Sequence, residues 1–310
     1  MKDKNILVIG SYIVALVMET NRLPIQGETL AGKNFREVHG GKGSNQAVQA
    51  ARLGAKVTML SKVGNDQYGK SFLQLCDQEK INSKHVFTDK KLPTATGFII
   101  CSENGHNMIT IDMAALNNIS ENNIDSVLAN INESTTVLIQ FEMPLKMVLY
   151  AARQSKKKGA TTIVNPAPAQ NLGESDLSFI DYLTPNEHEA RVCSGLDPNS
   201  KISDEDAAKK LLELGCKNVI LTLGEKGCLW VNKDRTEKIP AFKLSQVVDS
   251  TGAGDAFNAG FATALSEKKS ITDALKFANA CGALSCTKWD TIPSLHYRKE
   301  VEDFINKSKP

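Results

Sequence analysis

The stretch TVLIQFEMPLKMVLYAARQSKKKGATTIVN, residues 136–165, decides the fold. Thr136–Gln140 is a short apolar, β-branched run and reads as a buried strand. Leu145–Lys158 reads as a helix that ends at Gly159, and Thr161–Asn165 as a second strand, stopped by Pro166 and Pro168. Strand, helix and strand in succession form a βαβ unit with parallel strands and a right-handed crossover. Downstream the pattern repeats. Phe179–Thr184 reads as a strand stopped at Pro185, Asp204–Leu214 as a helix with Gly215 just past its end, and Asn218–Leu223 as a strand running into Gly224. Upstream, Asn5–Ile9 and Val57–Lys62 read as strands, and Ser44–Leu53 as a helix ended by Gly54. The segments near 12–18, 28–38 and 94–112 are short, β-rich and not paired with helices. We therefore expect residues 1–310 to form one α/β domain with a central, mostly parallel sheet flanked by helices. The three insertions would build a small β-sheet lid over the crevice at the carboxyl edge of that sheet.

Composition narrows the class. Apolar residues make up 41% and charged residues 23% of the 310, as in ordinary globular proteins, and a net charge of +2 gives no field to draw nucleic acid or an anionic membrane. Lys156, Lys157 and Lys158 read as a solvated helix end. Seven cysteines, an odd number with no C-x-x-C pair, argue against a disulfide framework or a zinc site and suit a reducing compartment. The five histidines show no metal-ligand spacing. Lys2 and Lys4 before the apolar stretch Ile6–Met18 resemble a short signal peptide, but Gly10 and Ser11 interrupt that stretch and it is too short to span a bilayer. A cytoplasmic protein is the expectation.

Two glycine-rich segments carry the chemistry. In His39-Gly40-Gly41-Lys42-Gly43-Ser44-Asn45-Gln46, glycines admit a ligand close to the backbone, a helix follows at once, and Lys42 and Asn45 offer donors to hydroxyls or phosphate oxygens. In Asp249-Ser250-Thr251-Gly252-Ala253-Gly254-Asp255-Ala256-Phe257, small residues open a helix whose amides suit an anion. Asp255 in its first turn either accepts a proton from an attacking hydroxyl or merely caps the helix. Neither the P-loop pattern G-x-x-x-x-G-K-[ST] nor a G-x-G-x-x-G after the first strand is present.

These residues resemble the ribokinase family, the PfkB sugar kinases. Gly40–Asn45 is similar to its first signature and Asp249–Gly260 to its second, D-[ST]-x-G-A-G-D-x-F-x-x-G. Between them, in order, stand Gln140-Phe141-Glu142, Asn165–Ala169, Thr184–Glu189 and Thr222–Gly227. The resemblance covers nearly the whole chain. It implies an ATP-dependent transfer of phosphate to a hydroxyl of a small sugar, with Asp255 as base and Gly252, Ala253 and Gly254 as anion hole. It places the sugar at Gly41, Lys42, Gly43, Ser44, Asn45 and Glu142, and ATP at Asn186, Thr222, Leu223, Gly224, Glu225, Lys226, Gly227 and Asn279. It assigns Mg²⁺ to the element containing Asn186 and Glu189, and a monovalent cation, K⁺, to Asp249, Thr251, Ser285, Lys288, Asp290 and Ser294. It also implies a homodimer clasped through the lid.

The departures gather at the acceptor end. The family's G-S-x-N-x-D becomes Gly10-Ser11-Tyr12-Ile13-Val14-Ala15, so Ile13 and Ala15 replace two polar residues that grip sugar hydroxyls. The G-A-N element becomes Ala114-Ala115-Leu116, and a glycine of the cation loop becomes Asp290. The acceptor expected is ribose or a related pentose or deoxysugar; one that lacks a hydroxyl or carries an apolar part, such as a deoxysugar or nucleoside, fits an apolar pocket. A nucleoside acceptor is the alternative, with Tyr12 or Phe98 as stacking face; a non-catalytic sugar or nucleotide sensor is another, for which a base at Asp255 has no use.

Overall fold

The computed structural model describes residues 5–104 and 106–308; Lys2 and Lys4 lie outside them. In chain order the first half comprises β1 (Asn5–Ile9), β2 (Ile13–Thr20), β3 (Lys33–Gly40), α1 (Lys42–Arg52), β4 (Lys56–Gly64), α2 (Gln67–Gln78), β5 (Asn82–Asp89), β6 (Thr96–Ser102), β7 (Asn107–Asp112) and α3 (Glu121–Leu128). The second half continues with β8 (Thr135–Gln140), α4 (Leu145–Lys157), β9 (Thr161–Asn165), β10 (Tyr182–Leu183), α5 (Glu187–Cys193), α6 (Asp204–Glu213), β11 (Asn218–Thr222), β12 (Cys228–Val231) and β13 (Thr236–Ile239). The helices α7 (Ala253–Ser266), α8 (Ile271–Ser285), α9 (Thr291–Ser294) and α10 (Arg298–Lys307) close the chain.

Nine strands form the main sheet in the order β13-β12-β11-β10-β9-β8-β1-β4-β5. From β11 to β5 every pairing is parallel, and the edge hairpin β12–β13 is antiparallel. Each central strand divides its side chains between two cores. In β1, Ile6 and Val8 face one cluster with α1, α7 and α8, while Leu7 and Ile9 face the other with α3, α4 and α6. That is the period of two of a pleated strand, and burial on both faces explains why these strands read as unbroken apolar runs. The strand expected over Phe179–Thr184 shortens to Tyr182–Leu183. Ile180 N–H turns back to Leu177 O (2.8 Å), and buried Asp181 is drawn aside by Lys156 (2.7 Å) and Lys217 (2.9 Å).

A second sheet, order β3-β2-β6-β7, stands apart from the first. It contains the three β-rich insertions, although β3 starts only at Lys33 and the 94–112 segment resolves into two antiparallel strands. Among the described residues no helix is long and apolar enough to cross a membrane.

The junction between β1 and α1 positions everything that follows. Helix α1 starts at Lys42, earlier than the sequence suggests, and Gly43 lies directly on the backbone after β1. A Cβ on Gly43 would overlap Ser11 N and lie 2.7 Å from Gly10 C. Gly43→Ala is therefore expected to cost about 1–3 kcal/mol of unfolding free energy, the usual penalty of overpacking, and to lower catalytic activity with it. Urea midpoints at constant slope give the check; an unchanged midpoint would show that α1 lifts off β1 freely.

Candidate active site

Asp255 sits in the first turn of α7 and is 5% exposed. Gly252 precedes the helix at φ 82, a backbone that glycine adopts freely. Two amides from α1 hold the carboxylate: Asn45 Nδ2 donates to Oδ2 (2.8 Å) and Gln46 Nε2 to Oδ1 (3.0 Å). So Asp255 does more than cap its own helix. In the turn before it, Ala253 N–H already donates to Ser250 O (3.2 Å), while a Cβ on Gly254 would meet nothing within 4 Å, so that position opens on free space. A cleft of about 170 Å³ brings Asp255, Gly252 and Gly254 together with Lys42, Asn186 and Glu189.

Just past the end of β8, Glu142 accepts from Lys42 N–H (2.7 Å) and from the Ser11 hydroxyl. Burial raises the proton affinity of its carboxyl group above the usual range, against the pull of Lys42. Burial also opposes the charge on Lys42, but Asp255, Glu142 and Glu189 outweigh it and raise its pKa. Gly41 takes φ 90 beside Ile13. Gly43 and Ser44 turn inward: Gly43 packs on β1, and the Ser44 hydroxyl donates to Gly40 O (2.6 Å) and Gly41 O (3.0 Å). Leu116 is fully buried in the core with Leu60 and Ile119, so its apolar character serves packing. The lid presents Ile13, Gly97 and Ile111 to one another: a Cβ on Gly97 would lie 3.7 Å from Ile13 and 3.5 Å from Ile111.

On the opposite side, Asn186 and Glu189 form a reciprocal cap at the start of α5, each side chain accepting the other's backbone N–H at 2.8 Å. Burial raises the pKa of Glu189. Asn186 bridges to Thr222 at the end of β11. From there Leu223 leads into the turn Gly224–Lys226, which includes Glu225, and then Gly227 at φ 92. Gly227 abuts the Ile239–Ala241 backbone, and Asn279 Nδ2 donates to Ile239 O (3.2 Å) and Pro240 O (3.0 Å), so Asn279 and this turn meet the same segment.

In the remaining loops, Asp249 Oδ1 accepts from Thr251 N–H (2.9 Å) and its hydroxyl (2.7 Å), and Oδ2 from Asp290 N–H (3.2 Å). Ser285 and Ser294 are buried with hydroxyls bonded within their own turns, and Lys288 is exposed. Asp290 adopts φ 62, ψ 166, and Ala114 φ 39. Both positive φ values fall where the family pattern has a glycine. Ser11, Gln46, Gln140, Asn165, Thr184 and Asn258 also border this region, and they were not picked out as site residues from sequence. Gln46 and Gln140 fall inside quoted motifs, but uncharged amides give no signal of their own until the sheet brings strand ends together.

A parallel sheet with a glycine-opened helix, a buried carboxylate at its carboxyl edge and a separate β lid is the architecture of a small-molecule kinase. The model described as "pfkB family carbohydrate kinase" matches residues 3–298, and the chain belongs to that family and is a sugar kinase. Within it the similarity extends to ribokinases. The ribokinase of Haemophilus influenzae is 39% identical, over 97% of this chain and 98% of that protein. The deoxyribokinase of Salmonella typhimurium is 35% identical, over 97% and 99%. The solved structure of Arabidopsis thaliana ribokinase complexed with ribose and ATP superimposes with a TM-score of 0.87 at 29% identity, over 98% and 99% of the two chains.

Two expectations follow from this geometry. Asp290→Gly relieves a backbone conformation that costs a non-glycine residue about 1–3 kcal/mol, so the melting temperature should rise by a few degrees; a fall would show that the Asp290 side chain contributes more than the strain removes. For Glu142, the raised pKa means that the folded state binds a proton more tightly than the unfolded chain does. Its contribution is thus present at low pH and lost as pH rises above the ordinary 4.5 through the raised value. Glu142→Gln should therefore stabilise the ligand-free protein at pH 8, with the gain vanishing below pH 4.5; melting curves across that range decide it.

Proposed function

We propose that this protein transfers the γ-phosphoryl group of ATP to a hydroxyl of a pentose or deoxypentose, with Asp255 as general base. The observation that carries this reading is the buried Asp255 carboxylate, gripped by Asn45 and Gln46 at the mouth of the α7 amides. Asp255 removes the proton from the acceptor hydroxyl, the freed oxygen attacks the γ-phosphorus, and ADP leaves as the bond to its β-phosphate oxygen breaks. The Gly252–Gly254 turn faces the charge on the transferring group. The turn from Thr222 to Gly227 and Asn279 would hold the nucleotide; the Arabidopsis relative was solved with ribose and ATP.

Lys42 stands against three carboxylates, Asp255, Glu142 and Glu189, so a triphosphate needs added positive charge here. Among the described residues no group of three or more acidic, histidine or cysteine side chains forms a metal cage. Mg²⁺ needs none, because it takes one or two carboxylates with phosphate oxygens and waters. Glu189, beside Asn186, suits that role and the ion would neutralise phosphate charge. The Asp249–Thr251 and Ser285–Ser294 loops supply oxygen donors for K⁺.

The lid favours a sugar that presents an apolar edge. Ile13, 5% exposed, and Ala15 share one face of the lid with Gly97 and Ile111, and Ile13 N lies against Gly41, next to Lys42. The deoxyribokinase relative fits this reading. A nucleoside is disfavoured. Tyr12 is stacked on Phe72 (centroids 4.2 Å apart) and bonded to His39 Nδ1 (2.7 Å), and Phe98, one residue from Gly97 in β6, points to the opposite face. On the face away from Ile13 the lid also exposes Phe98 and Met108, which supports a homodimer through it. All seven cysteines are free, in keeping with a cytoplasmic location.

The test is ATP turnover against ribose, 2-deoxyribose, fructose, and a purine and a pyrimidine nucleoside, with Mg²⁺ and K⁺ present. Turnover of 2-deoxyribose at least matching ribose is expected, and Asp255→Asn should lose about 10²–10⁴-fold in kcat while still binding ATP. Preference for a nucleoside, or a near-normal Asp255→Asn enzyme, overturns the respective half of the reading.

A further inference from the structure

We infer that Gln46 and Gln140 form a directional amide relay that aims the Asp255 carboxylate, making both of them positioning residues for phosphoryl transfer. The inference rests on Asp255 being the base. Both side chains are almost wholly buried. Gln140, the last residue of β8, donates from Nε2 to Gln46 Oε1 (2.7 Å), and Gln46 donates from Nε2 to Asp255 Oδ1 (3.0 Å). The direction is forced. A carboxylate only accepts, so Gln46 must present its NH₂ to Asp255 and its oxygen to Gln140, and Gln140 must in turn present its own NH₂.

The chain of amides therefore ends on an oxygen with nothing to receive. Gln140 Oε1 is buried without a hydrogen-bond partner, as is Asn45 Oδ1 on the other amide that holds Asp255. Gln140 Oε1 lies against Gly10, where a Cβ would overlap it. A pair of amides placed for stability alone would satisfy each other at both ends, because an orphaned buried acceptor is costly. One orphaned acceptor, on Gln140, lies at the far end of the relay and the other, on Asn45, beside Asp255, while the donors of both amides that touch Asp255 converge on its carboxylate.

The relay also reaches the anion-binding turn. Gln46 Nε2 lies 3.3 Å from Asn165 Oδ1, and Asn165 Nδ2 donates to Thr184 O (3.2 Å). The Thr184 hydroxyl donates to Asn258 Oδ1 (2.6 Å), and Asn258 Nδ2 to Gly254 O (2.8 Å). One set of buried amides thus ties the carboxylate to the turn that faces the phosphate. The charged groups that face Asp255 are Lys42 on α1, Glu142 after β8 and Glu189 on α5. Gln46 adds to these a neutral donor that favours the ionised carboxylate without placing another charge in the cleft.

The experiment compares Gln46→Met, Gln140→Met, the double variant and Asp255→Asn, using the acceptor that the wild-type enzyme turns over fastest. Gln46→Met should lower kcat about 10–100-fold with the KM for ATP within about twofold, in the range a lost general-base alignment commands. Gln140→Met, which touches Asp255 only through Gln46, should lower kcat by less, again with the KM for ATP within about twofold, and the double variant should be no worse than Gln46→Met alone. Penalties that multiply, or a folded Gln46→Met enzyme with unchanged kcat, overturn the relay. If Gln46→Met does not fold, Gln140→Met decides: a lowered kcat at unchanged KM supports the relay, an unchanged kcat overturns it. Near-normal turnover by Asp255→Asn would bring down the base assignment and the relay together, whereas an inactive Asp255→Asn beside an unchanged kcat of Gln46→Met brings down the relay alone.

Discussion

The site depends on one close approach, that of Gly43 to the backbone of Gly10 and Ser11. With no side chain between them, the first turn of α1 lies directly under the end of β1. From there three consecutive features fall into place. Lys42 N–H reaches Glu142, and Asn45 and Gln46 reach Asp255 from the neighbouring helix α7. Asn45 and Asp255 are 210 residues apart in sequence. Their meeting is decided by the packing of α1 on α7 over one face of the sheet, and a single added methyl group would disturb it.

The electrostatics follow from that packing. A buried carboxylate is tolerated only when hydrogen bonds or opposite charge compensate for lost water. Asp255 receives two amide donors, while Glu142 and Glu189 receive backbone N–H groups and share the field of Lys42. For both glutamates burial is the larger influence and raises the pKa. The cleft thus gathers three carboxyl groups around one lysine. In the proposed reaction its capacity for a polyphosphate would rest on helix-terminus amides and on a cation that comes with the ligand.

The sequence revealed this arrangement unevenly. The parallel sheet was legible because strands buried on both faces appear as short apolar runs ended by proline or glycine, as at Thr136–Gln140 and Thr161–Asn165. The glycine segments were legible because glycine has few other reasons to cluster before a helix. Three things were not. The β12–β13 hairpin lies past the Thr222–Gly227 turn and reverses the sheet direction without a distinct pattern of its own. The Phe179–Thr184 run looks like a full strand until the ion pairs of Asp181 are known. The amides of Gln46, Gln140 and Asn165 carry no charge and no periodicity; only the register that sets Gln140 opposite Asn165 shows that they share one edge.

The two ends of the cleft differ in how firmly the fold holds them. At the start of α7, Gly252 packs tightly against Thr291, Asn258 fixes the Gly254 carbonyl, and Asp290 holds a positive φ while its N–H bonds Asp249. A residue without a glycine's freedom stays in that conformation only where its surroundings over-determine it. The Thr291 hydroxyl meets His39 O (3.1 Å), and Asp290 faces Arg36 (3.6 Å), so the same segment is joined to the base of the lid. The lid strands are different in kind. Ile13 and Ala15 stand on a β ladder whose backbone pairing does not depend on their side chains. Replacing polar groups there changes what the lid can bond and leaves the strands where they are. If the lid covers the acceptor as proposed, a chain built this way can alter its acceptor while the setting of Asp255 stays fixed, and the combination of an apolar lid face with a fully braced Asp255 is what such a separation would produce.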